Sequence, residues 1–399
     1  MFLGNSKKGQ SQVLTQNKGQ HRDTGLAPQR FDLGYDNADQ LTTAPVKNAS
    51  TNALIKQYTY GYDTASNRTS ETVATTTTTS APNNVNEITS QSGGVNRTLS
   101  YDLNGSITSD GGTRTFEWDG ANRLVAINYT GFTTRSEFTY DGLSRMVKIV
   151  EKTGTTINST RKFVWDGEEK LEFRDATDAV TQRNYKQGQH VGTTAYFYTR
   201  DHLGSIREMF TGGGTVVARY DYDPYGRSTT VLGTTPTDFN FTGLYRHSKS
   251  NLDLAVFRGY DPDLGRWLSR DPLDDAEMQE GPNLYGYVRN EPTNHRDPSG
   301  LQAGNPNIGS LGGIIGNRIS KSVMREIGKA LADCAKVPHS PSGCCKCCVF
   351  SILAQPSGSF WEAKDGWGKV YDKPCEQLKP EFLSDPSWTV LGGQTLVID

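Results

Sequence analysis

The chain has 399 residues, a net charge of −2 and a hydrophobic fraction of 34%, a size that suits two or three domains with much polar surface. The near-neutral charge predicts no general attraction to nucleic acid or anionic membranes. No apolar run reaches the roughly 18 residues of a membrane-spanning helix, and residues 1–9 lack the apolar stretch of a signal peptide.

The first 55 residues are polar and rich in Gln, Asn, Thr and Lys. Such a composition offers too little apolar surface to offset the entropy lost on ordering. We therefore expect residues 1–55 to be disordered or to form a degenerate first repeat. The threonine-rich stretch at residues 75–79, with flanking Ser, Ala and Pro, is typical of a low-complexity linker.

A short unit recurs between residues 56 and 185: an aromatic residue, an Asp, a small turn with Gly or Asn, an Arg and an apolar strand. Copies begin at Tyr62-Asp63, Tyr101-Asp102, Trp118-Asp119, Tyr140-Asp141 and Trp165-Asp166. The Asp positions 102, 119, 141 and 166 are 17, 22 and 25 residues apart. This spacing fits one hairpin per repeat.

The composition of the unit predicts a β-hairpin. Asp-Gly pairs favour hairpin turns, because glycine accepts positive φ and Asp bonds to nearby backbone. Phe116 and Trp118 alternate along one face of a strand, and neighbouring hairpins must stack to bury such a face. We interpret the aromatic residues as packing groups, with a sugar-binding surface as the alternative, and the repeated Asp as a turn former.

From residue 186 to residue 301 the repeats give way to a denser series of motifs. They are Tyr198–Ser205, Tyr220–Arg227, Phe241–Tyr245, Arg258–Pro272, Asn283–Asn290 and the closing motif Asp297–Leu301.

These residues resemble the Rhs/YD-repeat family, and the last series resembles its Rhs-repeat-associated core. The resemblance extends over residues 58–301. It implies a spiral β-sheet that rolls into a hollow shell, a core that caps the shell, and a variable domain after the closing motif. In that family the variable domain is often a toxin held inside until delivery, and a stretch of this length would form part of a shell.

The predicted fold is therefore mainly β, with antiparallel YD-repeat hairpins in a spiral sheet that forms a partial shell. The expected parts are an N-terminal segment (1–55), the YD repeats (56–185), the Rhs-repeat-associated core (186–301) and a small mixed α+β cysteine-rich domain (302–399). The cysteine distribution supports the last boundary, because all six cysteines follow Leu301.

The resemblance also implies a reaction at the closing motif. Several toxin-bearing members are similar to aspartyl proteases that cut themselves after the motif's Leu, which here is the Leu301–Gln302 bond. Such chemistry needs two nearby carboxylates, one ionised and one protonated. The candidates are Asp271 and Asp297, with Arg270 to orient or stabilise charge.

The sequence leaves two questions about this reaction open. The resemblance also implies a second acidic residue shortly before Asn283, and four residues are candidates for it: Asp274, Asp275, Glu277 and Glu280. The alternative to catalysis is structural, because Asp-Pro is a common turn start and the chain contains several such pairs. Without the reaction, the core would be a structural plug.

Residues 302–399 have ten Lys/Arg and nine Asp/Glu. No motif in this segment indicates an activity. Apolar residues at intervals of three and four predict an amphipathic helix over residues 319–334. Two overlapping Cys-x-x-Cys pairs are compatible with disulfides, with a zinc site or with unbonded thiols. The cysteines concerned are Cys334, Cys344, Cys345, Cys347, Cys348 and Cys375. No other cofactor is predicted.

The functional expectation is an Rhs-type polymorphic toxin fragment, in which a β-shell encapsulates or presents a C-terminal effector that self-cleavage after Leu301 releases. Its partners would be its own C-terminal domain, an immunity protein and a secretion apparatus, and its location would be secreted or at the cell surface. The alternative is a non-enzymatic surface or secreted protein that binds carbohydrate or protein and has a disulfide-bonded C-terminal cap.

Overall fold

The computed structural model describes residues 12–14, 29–131, 133–233, 236–273 and 276–301, and five strands between residues 347 and 398. The chain divides into two compact units, residues 1–308 and 309–399. In the described residues the structure is mainly β, with antiparallel sheets, which confirms the predicted fold class at this level. No described helix is long and apolar enough to cross a membrane.

The first sheet of unit 1 has ten strands. They are β1 (Gln12–Leu14), β2 (Gln29–Tyr35), β3 (Leu41–Thr43), β4 (Val46–Asn48), β5 (Leu54–Lys56), β6 (Tyr58–Tyr62), β7 (Arg68–Val73), β8 (Thr76–Pro82), β9 (Ile88–Gly93) and β10 (Arg97–Thr98). The order is β10-β9-β8-β7-β6-β3-β2-β4-β5, with β1 paired to β2.

This sheet changes two sequence-based expectations. Residues 29–56 contain four strands, and Leu33 and Leu41 are buried in their core, so the expectation of disorder is wrong for this stretch, while a degenerate first repeat stays a prediction. The linker prediction for residues 75–79 is wrong, because Thr76–Pro82 pairs with strands on both sides. Threonine is β-branched and suits a strand, and this preference prevails over the low-complexity composition.

The second sheet has fourteen strands, each paired with the next one along the chain. They are β11 (Ser100–Tyr101), β12 (Ile107–Ser109), β13 (Arg114–Trp118), β14 (Leu124–Tyr129), β15 (Thr134–Tyr140), β16 (Met146–Thr153), β17 (Thr156–Asp166), β18 (Glu169–Arg174), β19 (Val180–Tyr185), β20 (Gly188–Val191), β21 (Thr194–Arg200), β22 (Ile206–Thr211), β23 (Val216–Tyr222) and β24 (Ser228–Leu232).

The turns of four repeats are built around their Asp residues, which are Asp63, Asp102, Asp119 and Asp141. Asp119 Oδ1 accepts hydrogen bonds from the N–H groups of Ala121 and Arg123, at 2.9 and 3.0 Å. The residue with positive φ is Asn122, at 56°, and not Gly120. This is a type I turn followed by a left-handed residue. The turn prediction holds, but its left-handed position lies three residues after the Asp.

In two of the repeat turns an Arg connects the turn to the next one along the chain. Arg123 Nε donates to Asp119 Oδ2 at 2.8 Å, and its Nη1 donates to the carbonyl of Asp141 at 3.4 Å. Arg145 repeats the pattern, with Nε bonded to Asp141 and Nη1 donating to the Gly167 carbonyl at 3.1 Å. The turns at Asp119, Asp141 and Gly167 are therefore linked in sequence along the sheet.

A third, four-stranded sheet begins the plug, our name for residues 245–301. Its strands are β25 (Tyr245–His247), β26 (Leu252–Leu254), β27 (Gly259–Asp261) and β28 (Arg266–Trp267), followed by α1 (Ala276–Glu280) and a 3-10 turn at Val288–Asn290. Another 3-10 turn, Phe241–Gly243, precedes it. Tyr260, Trp267 and Tyr287 form its aromatic centre.

The plug packs on one face of the second sheet. Their shared core contains, from the sheet, Phe116, Leu124, Ile127, Phe138, Ile149, Phe163 and Phe173 and, from the plug, Tyr245, Leu252, Leu254, Leu264 and Leu268. The apolar positions of the repeats therefore serve as packing groups, as interpreted from their alternation.

In unit 2 the described strands are β29 (Cys347–Ser351), β30 (Ala354–Ser357), β31 (Phe360–Ala363), β32 (Trp367–Tyr371) and β33 (Leu396–Ile398). β29 pairs with β32 and β33, and β30 pairs with β31. The helix predicted over residues 319–334 lies outside the described residues.

Candidate functional site

The closing motif Asp297–Leu301 lies against the plug and is held by its backbone. The Phe257 N–H donates to the carbonyl of Ser299 at 2.9 Å, and Arg258 Nε donates to the carbonyl of Gly300. The Leu301 side chain is buried. The segment before the predicted cleavage point is therefore bound in place, as a peptide ligand would be.

Asp297 shapes this segment. Its Oδ1 accepts hydrogen bonds from Ser299 Oγ at 3.0 Å, the Gly300 N–H at 2.8 Å and the Leu301 N–H at 3.1 Å. Gly300 has a φ of 78°, and a Cβ there would lie 3.1 Å from both Ala255 Cβ and Arg258 N. Glycine is thus required for both reasons, and the turn places the Asp297 carboxylate beside Leu301.

Arg258 brings the two predicted aspartates together. Its Nη2 lies 2.6 Å from Asp271 Oδ2 and 3.4 Å from Asp297 Oδ2. The contact between Arg258 and Asp271 is an ion pair. Arg258 Nη1 donates to the Leu284 carbonyl at 3.1 Å, and the guanidinium carbon is 4.5 Å from the Trp267 ring centre. We call Arg258, Asp271, Asp297 and Gly300 the closing cluster.

Arg270 lies apart from these contacts. Its Nη2 is 3.5 Å from Glu277 Oε1, and its side chain is 45% exposed. Of the four further acids considered, Glu277 is therefore an exposed partner of Arg270. Asp274 and Asp275 lie outside the described residues, and only the backbone of Glu280 is described.

Arg258 was not among the residues singled out from the sequence. Its signal was available, because it directly follows the apolar run Leu254–Phe257. A charge next to such a run is costly to bury unless it is paired. The identity of its partners, 13 and 39 positions later in the chain, has no local signature.

Glu168 is a partly buried acid of the second sheet. It lies in the two-residue turn between β17 and β18, after Gly167, whose φ is 56°. Its Oε1 is buried and has no hydrogen-bond partner among the described residues. Burial raises the pKa of Glu168, and the negative charge of Asp297 raises it further. The pKa of this carboxyl group therefore lies above that of an exposed glutamate.

Another polar cluster fastens the plug to the second sheet. Glu151 of β16 accepts hydrogen bonds from His247 Nε2 at 2.9 Å, Lys249 Nζ at 2.7 Å and Ser136 Oγ at 2.8 Å. Burial opposes ionisation of Glu151, but these hydrogen bonds outweigh it and lower its pKa to about 2.

The same cluster has the residue types of a Ser-His-acid relay. His247 Nδ1 lies 2.7 Å from Ser250 Oγ, and its other ring nitrogen faces the acid. A relay needs a nucleophile that substrate can reach, whereas Ser250 is fully buried. We therefore assign this cluster a fastening role between sheet and plug.

Metal and disulfide chemistry lies mostly beyond the described residues. Within them, no group of three or more His, Cys, Asp or Glu side chains is arranged to hold a metal ion. Cys347 and Cys348 belong to β29 by their backbone, and the other four cysteines are not described. The disulfide and zinc alternatives stay predictions.

Comparisons with known proteins identify relatives of the repeat region. The family model of the teneurin YD-shell matches residues 9–293. The tRNA3(Ser)-specific nuclease WapA of Bacillus spizizenii is 28% identical over 285 residues, covering 67% of this chain and 12% of that protein.

Two further relatives have the same pattern of coverage. Toxin protein Tse5 of Pseudomonas aeruginosa is 27% identical over 238 residues, covering 49% of this chain and 18% of that protein. The probable deoxyribonuclease RhsB of Dickeya dadantii is 30% identical over 203 residues, covering 47% and 13%. The chain thus matches only a small part of the length of each relative.

Proposed function

Because the chain belongs to the Rhs/YD-repeat family, we propose that it is a fragment of an Rhs-type polymorphic toxin. In this proposal the repeats and plug form part of a shell that encapsulates or presents residues 302–399 as an effector. The names of the relatives support this proposal, because two of them are described as nucleases and one as a toxin. Delivery outside the cell and an immunity protein as partner belong to the same proposal.

The effector is released by self-cleavage of the Leu301–Gln302 bond. The observation that supports this step is the closing cluster: one buried arginine contacts both predicted aspartates and the carbonyl of Gly300, which directly precedes Leu301. Water attacks the Leu301 carbonyl carbon while one aspartate, ionised, takes one of its protons, and the other aspartate, protonated, gives its proton to the Gln302 nitrogen as the C–N bond breaks.

The reaction is tested by following the full chain at neutral pH, since Asp-Pro bonds break in warm acid. The expected result is a product that begins at Gln302 in the wild type and is absent in Asp271→Asn. Asp223→Asn is the matched control, because Asp223 is another buried Asp before proline, paired with Arg227 away from the closing cluster. A wild-type chain that stays intact for days contradicts self-cleavage.

The effector role is tested separately in growing bacteria. The full chain is compared with a version that ends at Leu301. Growth arrest by the full chain alone, relieved by the product of a neighbouring gene, supports an effector with an immunity partner. Harmless accumulation of both versions contradicts it.

One observation favours the alternative of a carbohydrate-binding surface. The outer face of β19–β22 exposes Tyr185 (51%) and Phe197 (40%), and the Phe197 ring stacks on Phe210 with centres 5.8 Å apart. Exposed aromatic rings of this kind can stack on sugars. Saturable binding to a glycan array that is lost in Phe197→Ser supports the alternative.

A further inference from the structure

The first sheet meets the plug around two buried arginines, Arg68 of β7 and Arg266 of β28. Arg68 Nη2 donates to the Leu264 carbonyl of the plug at 2.8 Å. In the other direction, Arg266 Nη2 donates to the Asn86 carbonyl, between β8 and β9 of the first sheet, at 2.6 Å. A Cβ on Gly265 would lie 2.6 Å from Arg68 Nη1. The Arg68 guanidinium therefore packs directly on the backbone that leads into Arg266.

Arg266 is a buried cation without an ion pair in the described part of the chain. It is 7% exposed, and its Nε is buried with no hydrogen-bond partner among the described residues. Its guanidinium carbon lies 4.6 Å from the Tyr285 ring centre, and a ring attracts a cation without neutralising it. Burial lowers the pKa of Arg266, and the positive charge of Arg68 adds to this. Such a charge is costly to bury unless an anion is close.

Arg68 has a carboxylate nearby but keeps a free N–H. Its Nη1 lies 3.7 Å from Glu71 Oε1, too far for a hydrogen bond, and is buried without a hydrogen-bond partner among the described residues. Glu71 already accepts hydrogen bonds from both terminal nitrogens of Arg227, which also pairs with Asp223. These two arginines and two carboxylates balance, so the positive charge in excess is that of Arg266.

Both arginines line one small cavity, whose wall also includes Ser80 and Gln91. No acidic side chain is among the described residues that line it. A volume of about 10 Å³ is open to the centre of a water-sized particle, which is room for about one such particle. Gln91 Nε2 donates to Ser80 Oγ at 2.9 Å, and a hydroxyl that accepts one bond still has its own proton to donate. The cavity therefore combines positive charge with hydrogen-bond donors.

We propose that this cavity binds a chloride ion between Arg68 and Arg266. Arg68 Nη1, Arg266 Nε and the Ser80 hydroxyl donate hydrogen bonds to the ion, whose charge compensates that of Arg266. A water molecule fits the same space but brings no charge, and polyatomic anions such as phosphate are too large for it. Because one arginine belongs to the first sheet and the other to the plug, the ion joins these two parts, and their stability depends on chloride.

The first experiment measures urea unfolding of the full chain in sodium chloride and in sodium gluconate at equal ionic strength. Gluconate is too large for the cavity and serves as the non-binding anion. A ligand that binds only the folded state stabilises it by an amount that grows with the logarithm of its concentration. The urea midpoint should therefore rise as chloride replaces gluconate. Bromide, another single-atom anion, should have the same effect.

Three variants locate this rise in the midpoint. Arg266→Met removes the uncompensated charge and should abolish it. Ser80→Ala removes one donor at a partly exposed position, so it should fold and need about 10-fold more chloride for the same rise, as expected for one hydrogen bond to a charged group. Arg145→Met is the matched control, because Arg145 pairs with Asp141 at a repeat turn, and it should respond to chloride like the wild type.

The second experiment locates the ion, using crystals of the full chain grown in sodium bromide. The expected result is an anomalous-scattering peak between the two guanidinium groups. Equal wild-type midpoints in chloride and gluconate overturn the proposal, as does an unchanged chloride response in Arg266→Met. If Arg266→Met does not fold, an unchanged response in Ser80→Ala overturns it instead. A bromide peak without chloride-dependent stability shows binding at crystal concentration only and also contradicts the proposal.

Discussion

The repeated hairpins and the plug are both antiparallel β-structures, but they place their charges differently. In the repeats, Asp and Arg four positions apart pair at the turns, as in Asp119–Arg123, where the side chains are 25% and 28% exposed. In the plug, Arg258 pairs with Asp297 across 39 positions, and both side chains are 2% exposed. Local pairs define each turn, whereas long-range pairs fix how distant segments meet.

This difference predicts unequal energetic effects. Exposed ion pairs contribute about 0–1 kcal/mol, because water screens them and ordering the side chains costs entropy. Removing one partner of a buried pair leaves a charge without compensation and costs about 3–5 kcal/mol.

The largest expected effect follows substitution of Arg258. Arg258→Met leaves Asp271 and Asp297 without their shared cation and removes the donor to the Gly300 carbonyl. We expect the free energy of unfolding to fall by about 3–5 kcal/mol, as measured by urea titration. The matched control is Arg145→Met in a repeat turn, with a loss below about 1 kcal/mol. Equal losses would remove the distinction between the two regions.

Lys170 is the exception within the repeats, because it is buried where the sheet meets the plug. Its Nζ lies 4.2 Å from the Trp165 ring centre and 5.3 Å from that of Tyr245. Burial lowers its pKa from 10.5 to about 7. Between these values the unfolded chain binds more protons than the folded one, so stability rises with pH.

The expected slope for Lys170 is at most about 1.4 kcal/mol per pH unit. Urea titrations at pH 7, 8 and 9 measure it. Lys170→Met should remove this contribution, while Lys162→Met, at the partly exposed pair with Asp178, should keep it. Identical slopes in wild type and Lys170→Met would show that the lysine does not titrate in this range.

Apart from the control substitutions, the smallest expected loss of stability is at a repeat turn. Asp141→Ala removes hydrogen bonds from the Leu143 and Arg145 N–H groups and from Arg145 Nε. Because water can replace them at this partly exposed site, we expect a loss of about 1 kcal/mol, larger than that of Arg145→Met. A loss of unfolding free energy as large as that of Arg258→Met would show that this turn also stabilises contacts between distant segments.

The same contrast explains what the sequence revealed. The hairpins could be predicted because Asp, the left-handed residue and Arg lie within five positions. Two details were wrong: Thr76–Pro82 is a strand and not a linker, and Gly120 is not the left-handed residue. The closing motif points to Asp297, and an Asp-Pro pair points to Asp271.

The remaining member of the closing cluster, Arg258, could not be read in this way. It precedes Asp297 by 39 positions. Only folding brings these groups together, and Arg258 carries no local pattern that separates it from other arginines.

The two arginines that link consecutive turns have an evolutionary consequence. Since Arg123 and Arg145 each bond to a backbone carbonyl of the following turn, the contact does not depend on which side chain that turn carries. A gene segment that encodes one hairpin can then be duplicated or lost, and the joint with the next hairpin is re-formed by the same atoms. The number of hairpins can thus vary by recombination without coordinated substitutions elsewhere, while the plug, held by specific distant partners, must be inherited whole.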